Sequence, residues 1–462
     1  MTVNADTLRS KLKGTLHLPG EPQFVDACTI WNGMIERRPA FVVRPAGAED
    51  IAAAMAFAKA NGLPLSIRGG GHNVAGAALS DGGVTIDMSQ RRAVTVDPAR
   101  KTVKVEAGAT WKDVDAATQP HGLIVPSGLI SATGVAGLTL GAGFGWTSRK
   151  FGFAADNLVA ADVVTTDGKV LRASADENID LFWALRGGGG NFAVVTDFTF
   201  RAHTHGPQVL AGMVVHPFER VDDVIKLFRN VTQSSPDEFT GLLVLRRAPP
   251  APWIPQEFHG KLIVGIAAHW TGKVEDGIEA MRPLKEFGQP VADTIVPKEY
   301  TAFQTFLDGG QPFGRRYYWK SDEAGDLGDG LQGALKNSAA ATTSPLSAIL
   351  MLQMGGAPSR VPADATAVGV RSARYALVYQ GAWIDASEDQ RQIGWVRDSA
   401  AAGAPFSSGA PYINIISADE GDARVRAAYG GALYERLAAI KRRYDADNIL
   451  RGNLNIPPAA AT

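Results

Sequence analysis

The stretch SIRGGGHNVAG, residues 66–76, places three consecutive glycines directly before His72 and frames them with Arg68 and Asn73. Glycines let a backbone come close to a bound group, and the adjacent N–H groups of such a turn can hold an anion such as a pyrophosphate. A histidine beside them can serve as a base, a metal ligand or a covalent attachment point. An ordinary glycine turn with a surface or buried histidine explains the stretch as well, so these interpretations stay open at this point.

The residues around this turn predict an α+β domain over residues 1–205. Two apolar, strand-like segments flank the Ala-rich segment 51–60, which has high helix propensity and ends at Asn61-Gly62. Strand, helix and strand in this order are typical of a β-α-β unit. Short strands and hairpins follow, among them a strand expected at 125–128.

The pattern changes after residue 205 to long alternating strands separated by helical stretches. Helices are expected at 219–233, 273–285 and 387–402. Alternation of apolar and polar residues favours an antiparallel sheet with helices on one face and a cavity on the other, so we predict a second domain over 206–410. The remaining residues 411–462 contain one expected helix, 423–445, which should dock on a folded domain.

Composition excludes several classes of function. The 462 residues are 45% hydrophobic, and Lys+Arg 46 against Asp+Glu 47 leaves a formal net charge of -1, which argues against nucleic acid or an anionic membrane as partner. No apolar run reaches the roughly 20 residues of a membrane span, and the N-terminus lacks a secretion signal, so we expect a cytoplasmic protein. Cys28 is the single cysteine, which excludes an internal disulfide, and the scattered histidines predict no metal site.

Two further glycine clusters favour a large phosphorylated cofactor. They are TGVAGLTLGAGFGW, residues 133–146, and the four glycines at 187–190. The chain contains no GxGxxG, GxxxxGK[ST] or GxSxG motif, which argues against a Rossmann site, a P-loop and a serine hydrolase elbow. The sequence therefore predicts a dinucleotide site of another type, most plausibly for flavin.

The combination of these motifs resembles a known family. The segments that carry the resemblance are 38–76, 133–170, 181–200, RRYYWKS at 315–321 and YDADNILRGNLNIPP at 444–458. They are similar to the berberine bridge enzyme-like FAD-linked oxidases of the vanillyl alcohol oxidase/p-cresol methylhydroxylase (PCMH) superfamily. The resemblance implies a two-part PCMH-type FAD-binding domain, made of 1–205 and the return segment 411–462, with the substrate domain 206–410 between them.

The resemblance also implies an activity. The chain would be an FAD-dependent oxidase that removes hydride from a C–H beside an OH or amine of a small molecule and passes electrons to O2, giving H2O2. His72 would be bonded to the flavin, and it would be the single covalent link, because Ile130 stands where some relatives carry a second, cysteinyl link. A dehydrogenase with another acceptor and a non-catalytic flavin-binding protein remain alternatives. The substrate class stays open, and so does the choice between monomer and homodimer.

Site residues follow from motif positions in the same way. The resemblance implies FAD contacts at Arg68, Gly69, Gly70, Gly71, His72, Asn73, Gly76, Ser127, Gly128, Ser131, Thr133, Gly134, Gly137, Gly141, Gly143, Asn157, Val194, Asn453 and Asn455. Asn191 is a further candidate, and Thr133 falls at the position that lines oxygen access. The candidate catalytic residues are Tyr412, Asn414, Gln380, Tyr318 and Gln353. Tyr412, on an expected return strand at 410–417, would accept a substrate proton with its pKa lowered by its neighbours.

Overall fold

The computed structural model describes residues 4–369, 371–452 and 454–460. The strands are β1 Thr15–His17, β2 Phe41–Arg44, β3 Leu65–Arg68, β4 Val84–Asp87, β5 Val94–Asp97, β6 Thr102–Glu106, β7 Leu123–Ile124, β8 Leu158–Val164, β9 Val170–Ser174, β10 Val194–Arg201, β11 His203–Thr204, β12 Gln208–Pro217, β13 Phe239–Arg247, β14 Leu262–Trp270, β15 Ala292–Asp293, β16 Val296–Glu299, β17 Arg316–Ala324, β18 Ala348–Gln353 and β19 Tyr375–Trp383.

The helices lie between and after these strands. They are α1 Ala5–Arg9, α2 Pro22–Cys28, α3 Ala48–Ala60, α4 Trp111–Thr118, α5 Val135–Leu140, α6 Ser148–Phe151, α7 Ile179–Leu185, α8 Val221–Ser234, α9 Val274–Lys285, α10 Tyr300–Gln304, α11 Asp329–Ala340, α12 Ala357–Arg360, α13 Asp389–Gly403, α14 Asp422–Tyr429 and α15 Gly431–Tyr444. Within the described residues, no helix combines the length and the apolar character that a membrane crossing requires.

The predicted β-α-β unit is present and forms part of a four-stranded sheet. Its strand order is β1-β2-β4-β3, with β4 inserted in parallel between β2 and β3 and with β1 antiparallel at the edge. Helix α3 joins β2 to β3 and buries Ile51, Ala54 and Met55. The glycine turn 69–71 follows directly at the carboxyl end of β3, the edge at which ligands of parallel sheets usually bind.

A second sheet completes this half of the molecule. Its five antiparallel strands run in the order β5-β6-β10-β8-β9. Side chains from both sheets share one core with α4, α7 and the C-terminal helices, for example Trp111, Phe198 and Leu437. The strand expected at 125–128 does not form, because only Leu123–Ile124 pairs, with β11.

The large sheet has the predicted antiparallel pattern. Its eight strands follow the order β15-β12-β14-β13-β18-β19-β17, with β16 also pairing β12. One face packs against α8, α9, α11 and α13 through residues such as Phe228, Leu335 and Trp395. The opposite face carries Leu242, Leu350 and other apolar side chains that pack with residues of the first half of the chain, such as Trp146. The molecule is therefore an α+β fold with a helix-backed antiparallel sheet, as the sequence predicts.

The C-terminal segment differs from the expectation in two places. The single helix expected at 423–445 is two helices, because Gly430 adopts φ 72° between α14 and α15, a conformation that favours glycine. The strand expected at 410–417 is a loop with a short 3-10 turn at Ile413–Ile415. Two hydrogen bonds to one side chain connect this loop to β17. The Ser321 hydroxyl accepts the N–H of Tyr412 and donates to the Ile415 carbonyl.

A buried lysine fastens this segment to the glycine run at 187–190. The ammonium of Lys441 is fully buried and bonds to the Asp445 carboxylate and to the carbonyls of Asn191 and Leu450. The Asn191 amide in turn donates to the Leu454 carbonyl. A charge out of reach of water is stable only when its hydrogen bonds are complete, so these contacts fix the C-terminal loop against residues 188–191.

We predict that Lys441→Ala lowers the free energy of unfolding by about 3–5 kcal/mol, because it leaves the buried Asp445 carboxylate without its cation. Chemical denaturation measures the change. Lys59→Ala is the control, since its ion pair with Asp447 is exposed and should contribute little. An equal loss in both variants would contradict the assignment of Lys441 as the fastening residue.

Candidate active site

One elongated cavity lies between the glycine-rich loops and the open face of the large sheet. The loops that line it are the turn 69–73, the segment 128–141 and the loop 189–191. Residues from β13, β17, β18 and β19 close it on the other side, together with 412–415 and with Leu450, Gly452 and Leu454. The three glycine clusters that the sequence singled out therefore meet at one place.

Close backbone approach explains several of these glycines. A Cβ on Gly70 would lie 2.5 Å from the Cα of Gly134, and a Cβ on Gly141 would lie 2.1 Å from the Asn414 Oδ1. Real Cβ atoms do not approach other atoms so closely, so a side chain at position 70 would require a shift of the backbone at Gly134, and one at position 141 would displace the Asn414 amide. Gly137 and Gly190 differ, because a Cβ there would meet no atom within 4 Å although both residues line the cavity.

Among its described lining residues, the cavity has no Asp, Glu, Lys or Arg side chain. The titratable groups that reach it are His72, Tyr412 and Tyr429. An anion held here would be bound by backbone N–H groups and dipoles, as in other glycine-rich turns. The described residues also contain no cluster of three or more His, Cys, Asp or Glu side chains that could hold a metal ion.

His72 is held in a stack of aromatic rings. Its imidazole lies 4.5 Å from the Trp31 ring at 16°, and Trp31 stacks on Tyr317 at 3.7 Å and 9°. The Trp31 backbone N–H donates to the Gly71 carbonyl, which ties the turn to the same stack. Burial lowers the pKa of His72 to about 4, so the ring is neutral at physiological pH. Its Nε2 is buried and has no hydrogen-bond partner among the described residues.

Tyr412 and Asn414 lie at the other polar point of the cavity. The Tyr412 hydroxyl oxygen accepts the Gly143 N–H at 3.0 Å and the Asn414 Nδ2–H at 2.9 Å. Burial nevertheless raises the pKa of Tyr412 to about 12, although these hydrogen bonds act in the opposite direction. The expectation of a lowered pKa was wrong, because removal of the phenolate from water outweighs the two donors.

The open face of the large sheet is mostly apolar where it meets the cavity. It presents Leu242, Leu350, Leu352, Ala376, Val378 and Trp319. Gln380 is the polar exception, and its Oε1 accepts from the Gln311 Nε2 at 3.3 Å. The Gln311 Oε1 is buried without a partner among the described residues. This amide pair can therefore offer hydrogen bonds to a bound molecule.

Two of the expected catalytic residues lie on the wrong face of this sheet. Tyr318 donates its O–H to Asp419 and packs in the core under the helices, next to α13. Gln353 bonds to the Thr232 carbonyl and to the Gly241 N–H. Alternation decides this placement, because Trp319 and Gln380 are paired neighbours on the cavity face, so Tyr318 must point away.

The expected cofactor contacts divide into two sets. The residues that line the cavity are Gly69, Gly70, Gly71, His72, Asn73, Gly128, Thr133, Gly134, Gly137, Gly141 and Val194, with Asn191. The residues that do not line it are Arg68, Gly76, Ser127, Ser131, Gly143, Asn157 and Asn455. Asn453 lies outside the described residues.

Polar partners elsewhere explain most of the second set. The Arg68 guanidinium donates to the carbonyls of Asp26 and Ala27, away from the cavity. Ser131 bonds to Asp308, and Ser127 accepts from Gln304. The Asn157 amide bonds to the carbonyls of Phe151 and Phe153. Gly76 packs on Ile35, and the Gly143 N–H donates a hydrogen bond to the Tyr412 hydroxyl oxygen.

Sequence reasoning missed Trp31 and Gln311. Neither lies in a glycine cluster or in a quoted motif, and both act through partners that are far apart along the chain. The sequence distance between Trp31 and Gln311, whose carbonyl accepts the indole N–H at 2.9 Å, is 280 residues. Only the folded chain brings them together.

Comparison with known proteins agrees with this geometry. Residues 39–174 match the family model described as FAD binding domain, and residues 411–457 match the model described as berberine and berberine like. The chain resembles the berberine bridge enzyme-like FAD-linked oxidoreductases in both of these segments. It is therefore an oxidoreductase with an FAD-binding domain.

Relatives extend over nearly the whole chain. (R)-6-hydroxynicotine oxidase of Paenarthrobacter nicotinovorans is 27% identical over 97% of both chains, and the FAD-linked oxidoreductase YgaK of Bacillus subtilis is 28% identical over 97% of this chain and 98% of its own. The crystal structure of 6-hydroxy-D-nicotine oxidase from Arthrobacter nicotinovorans superposes with a TM-score of 0.88 at 25% identity, covering 99% of this chain and 100% of that chain. The solved structure therefore shares the fold with this chain over nearly its whole length.

The residues present fit an FAD molecule. The open space beside Gly137 and Gly190 is a cradle that any Cβ would fill, and the orphaned Nε2 of His72 provides a buried nitrogen beside the same glycine turn. The lining residues would hold the cofactor through backbone and apolar contacts, because no charged side chain is among those described.

We predict that Gly137→Val folds normally but is purified with less FAD, because Gly137 lines the cavity and a Cβ there would have no atom within 4 Å. The ratio of flavin to protein absorbance measures the effect. Gly333→Val is the matched control, since Gly333 also lies within a helix, has no atom within 4 Å of the position that a Cβ would take, and is outside the cavity. Full flavin content in Gly137→Val would place the cofactor elsewhere.

Proposed function

We propose that the chain is an FAD-dependent oxidase with a single flavin link at His72. It would act on the C–H beside an OH or amine of a small molecule and use O2 as electron acceptor. The observation that carries this proposal is that His72 and the Tyr412–Asn414 pair face one cavity without charged side chains among its described residues. We also propose that 1–205 and 411–462 form the FAD domain and 206–410 the substrate domain.

The environment of His72 supports its role as the tether. A neutral imidazole has a free lone pair for bond formation, and the lowered pKa keeps His72 neutral above about pH 4. The stack on Trp31 restricts the ring to one orientation. Cys28 packs with Phe24 and Val42 in a separate apolar cluster and does not line the cavity, which supports one link rather than two.

The polar groups at Tyr412 support proton transfer from the substrate. The bound FAD would supply the hydride acceptor. Both hydrogen bonds at the Tyr412 oxygen are received from donors, so its own O–H is free to donate to another group when the oxygen takes up a substrate proton. Asn414 holds this oxygen in place and also bonds to the Leu138 carbonyl. Thr133, which lines the cavity, would leave space for O2 beside the cofactor.

The apolar sheet face favours one substrate class among those left open. Leu242, Leu350, Leu352, Ala376 and Val378 offer no hydrogen bond to the hydroxyls of a sugar. A xylooligosaccharide oxidase from Myceliophthora thermophila has the same fold at 21% identity, which is a likeness of fold alone. The lining here supports a small, uncharged and largely apolar alcohol or amine, bound at its polar end by Tyr412 and the Gln311–Gln380 amides.

We predict that FAD stays with the protein pellet after acid precipitation of the natural chain and is released to the supernatant from His72→Ala. Absorbance of the two fractions measures the distribution. Cys28→Ala is the control and should keep its flavin in the pellet, because the lone cysteine does not line the cavity. Yellow supernatant from the natural chain would disprove a covalent link.

We predict that small apolar alcohols or amines bleach the flavin without oxygen, that oligosaccharides do not, and that admission of air restores the colour with release of H2O2. Tyr412→Phe should slow bleaching by about 10²–10⁴-fold, the usual contribution of a positioned acid or base. Absorbance under nitrogen, followed by a peroxide assay, measures both steps.

Other results of the bleaching experiment would support the alternative functions or contradict the substrate class. Bleaching that only an artificial acceptor reverses would make the chain a dehydrogenase. A coloured protein that no candidate substrate bleaches would support the non-catalytic alternative. Faster bleaching by oligosaccharides than by apolar alcohols would contradict the proposed substrate class.

A further inference from the structure

A small second cavity lies behind Tyr412 and contains a buried carboxyl group. Its volume is about 20 Å³, and it shares Gly141, Phe144, Tyr412, Ile413 and Tyr429 with the main cavity. Glu323 lines only the small one. A space of about 10–15 Å³ accommodates one water molecule, so the cavity has room for a single water between polar groups.

Glu323 reaches this cavity because of its position on β17. It has the same parity as Trp319 and Ser321, which face the cavity side and the segment 412–415, respectively. The side chain is 5% exposed, and its Oε2 is buried without a partner among the described residues. A buried carboxyl group without a partner is costly, which is a reason to look for a role in function.

Within the part of the chain that the structure describes, the Tyr412 hydroxyl lacks a hydrogen-bond acceptor for its proton. Its oxygen receives two hydrogen bonds, from Gly143 and Asn414, and its own proton has no acceptor among the hydrogen bonds of the described residues. With its pKa raised to about 12, Tyr412 is protonated at neutral pH and cannot take a second proton. It can accept a proton from a substrate only when it passes its own proton to another group.

We propose that Glu323 is the proton acceptor for Tyr412, through one water in the small cavity. This proposal rests on the proposed oxidase function. In the step, the substrate O–H or N–H proton goes to the Tyr412 oxygen, the phenolic proton goes to the water, and a proton of that water goes to the Glu323 carboxylate. One proton is transferred in total, and the carboxylate becomes a neutral carboxylic acid.

The charges around Glu323 determine the direction of the pH dependence. Burial, with a smaller contribution from the Asp322 carboxylate, raises the pKa of Glu323 to about 8. The described residues that line the small cavity include no Lys, Arg or His, and the other titratable groups there are Tyr412 and Tyr429. Two arginines touch residues of its wall, Arg371 over the Phe153 ring and Arg149 at the Met354 carbonyl, and Arg371 is paired with Asp156. The carboxylate therefore forms as the pH rises through about 8.

A flavin-independent experiment tests the state of Glu323. Infrared difference spectra of the purified protein should show a protonated carboxyl C=O band that disappears with a midpoint near pH 8. The band should be missing in Glu323→Gln, and its midpoint should move upward in Tyr412→Phe, because the hydroxyl that supports the carboxylate is gone. Asp322→Asn is the matched control on the same strand and should keep the band with a lower midpoint. A missing band, or a midpoint unchanged by Tyr412→Phe, would overturn the proposal.

Kinetics test the transfer itself. The rate of anaerobic flavin bleaching should rise about tenfold between about pH 7 and pH 9 in the natural chain, and this rise should be lost in Glu323→Gln. A rise that persists in Glu323→Gln would overturn the proposal. If no substrate bleaches the flavin while the infrared band still responds to Tyr412→Phe, the oxidase function fails and the pairing of Glu323 with Tyr412 stands.

Discussion

The contact between the glycine turn and the segment at Gly134 is the constraint on which the site depends. A Cβ on Gly70 would fall 2.5 Å from Gly134, so the two backbones touch without intervening side chains. This contact brings the end of β3, at the edge of the four-stranded sheet, onto the start of α5. The cavity opens beside it, and the large sheet closes the other side. The chain therefore uses glycine where two loops must share one wall.

The absence of charged side chains among the described lining residues determines the chemistry of this cavity. When a titratable group is removed from water and has no ionic partner, burial favours its neutral form. His72 has its pKa lowered and Tyr412 has its pKa raised, as does Glu323 in the small cavity behind Tyr412, and burial is the first cause in all three. All three are then neutral near physiological pH. A neutral imidazole suits bond formation, whereas a neutral phenol and a neutral acid require a defined route for protons.

Local patterns predicted the parts of the fold that depend on local interactions. The β-α-β unit, the helices α8, α9 and α13 of the large sheet and the meeting of the three glycine clusters follow from propensity, periodicity and motif order, whereas α11 was not predicted. The sequence does not show which face of each strand its side chains occupy. In RRYYWKS and LQMGG, neither the odd-numbered nor the even-numbered residues are marked as the set that packs against the helices. In the structure, Trp319 pairs with Gln380 on the cavity face of the sheet. Tyr318, the next residue along β17, therefore lies on the opposite face and does not line the cavity. Trp31 needed the tertiary fold, since its stacking partners are distant in sequence.

The C-terminal segment shows why the last residues of the chain belong to the site. Gly430 turns the chain between α14 and α15, and Lys441 then fastens the end of α15 to the Asn191 and Leu450 carbonyls. Residues 412–415 reach the cavity from the chain before these helices, and Leu450, Gly452 and Leu454 reach it from the chain after them. The first loop is held by the Ser321 hydroxyl on β17, and the second by the Lys441 ammonium at the Leu450 carbonyl. Since Tyr412 lies on the first loop, the accuracy of the polar site depends on how well the whole return segment is docked.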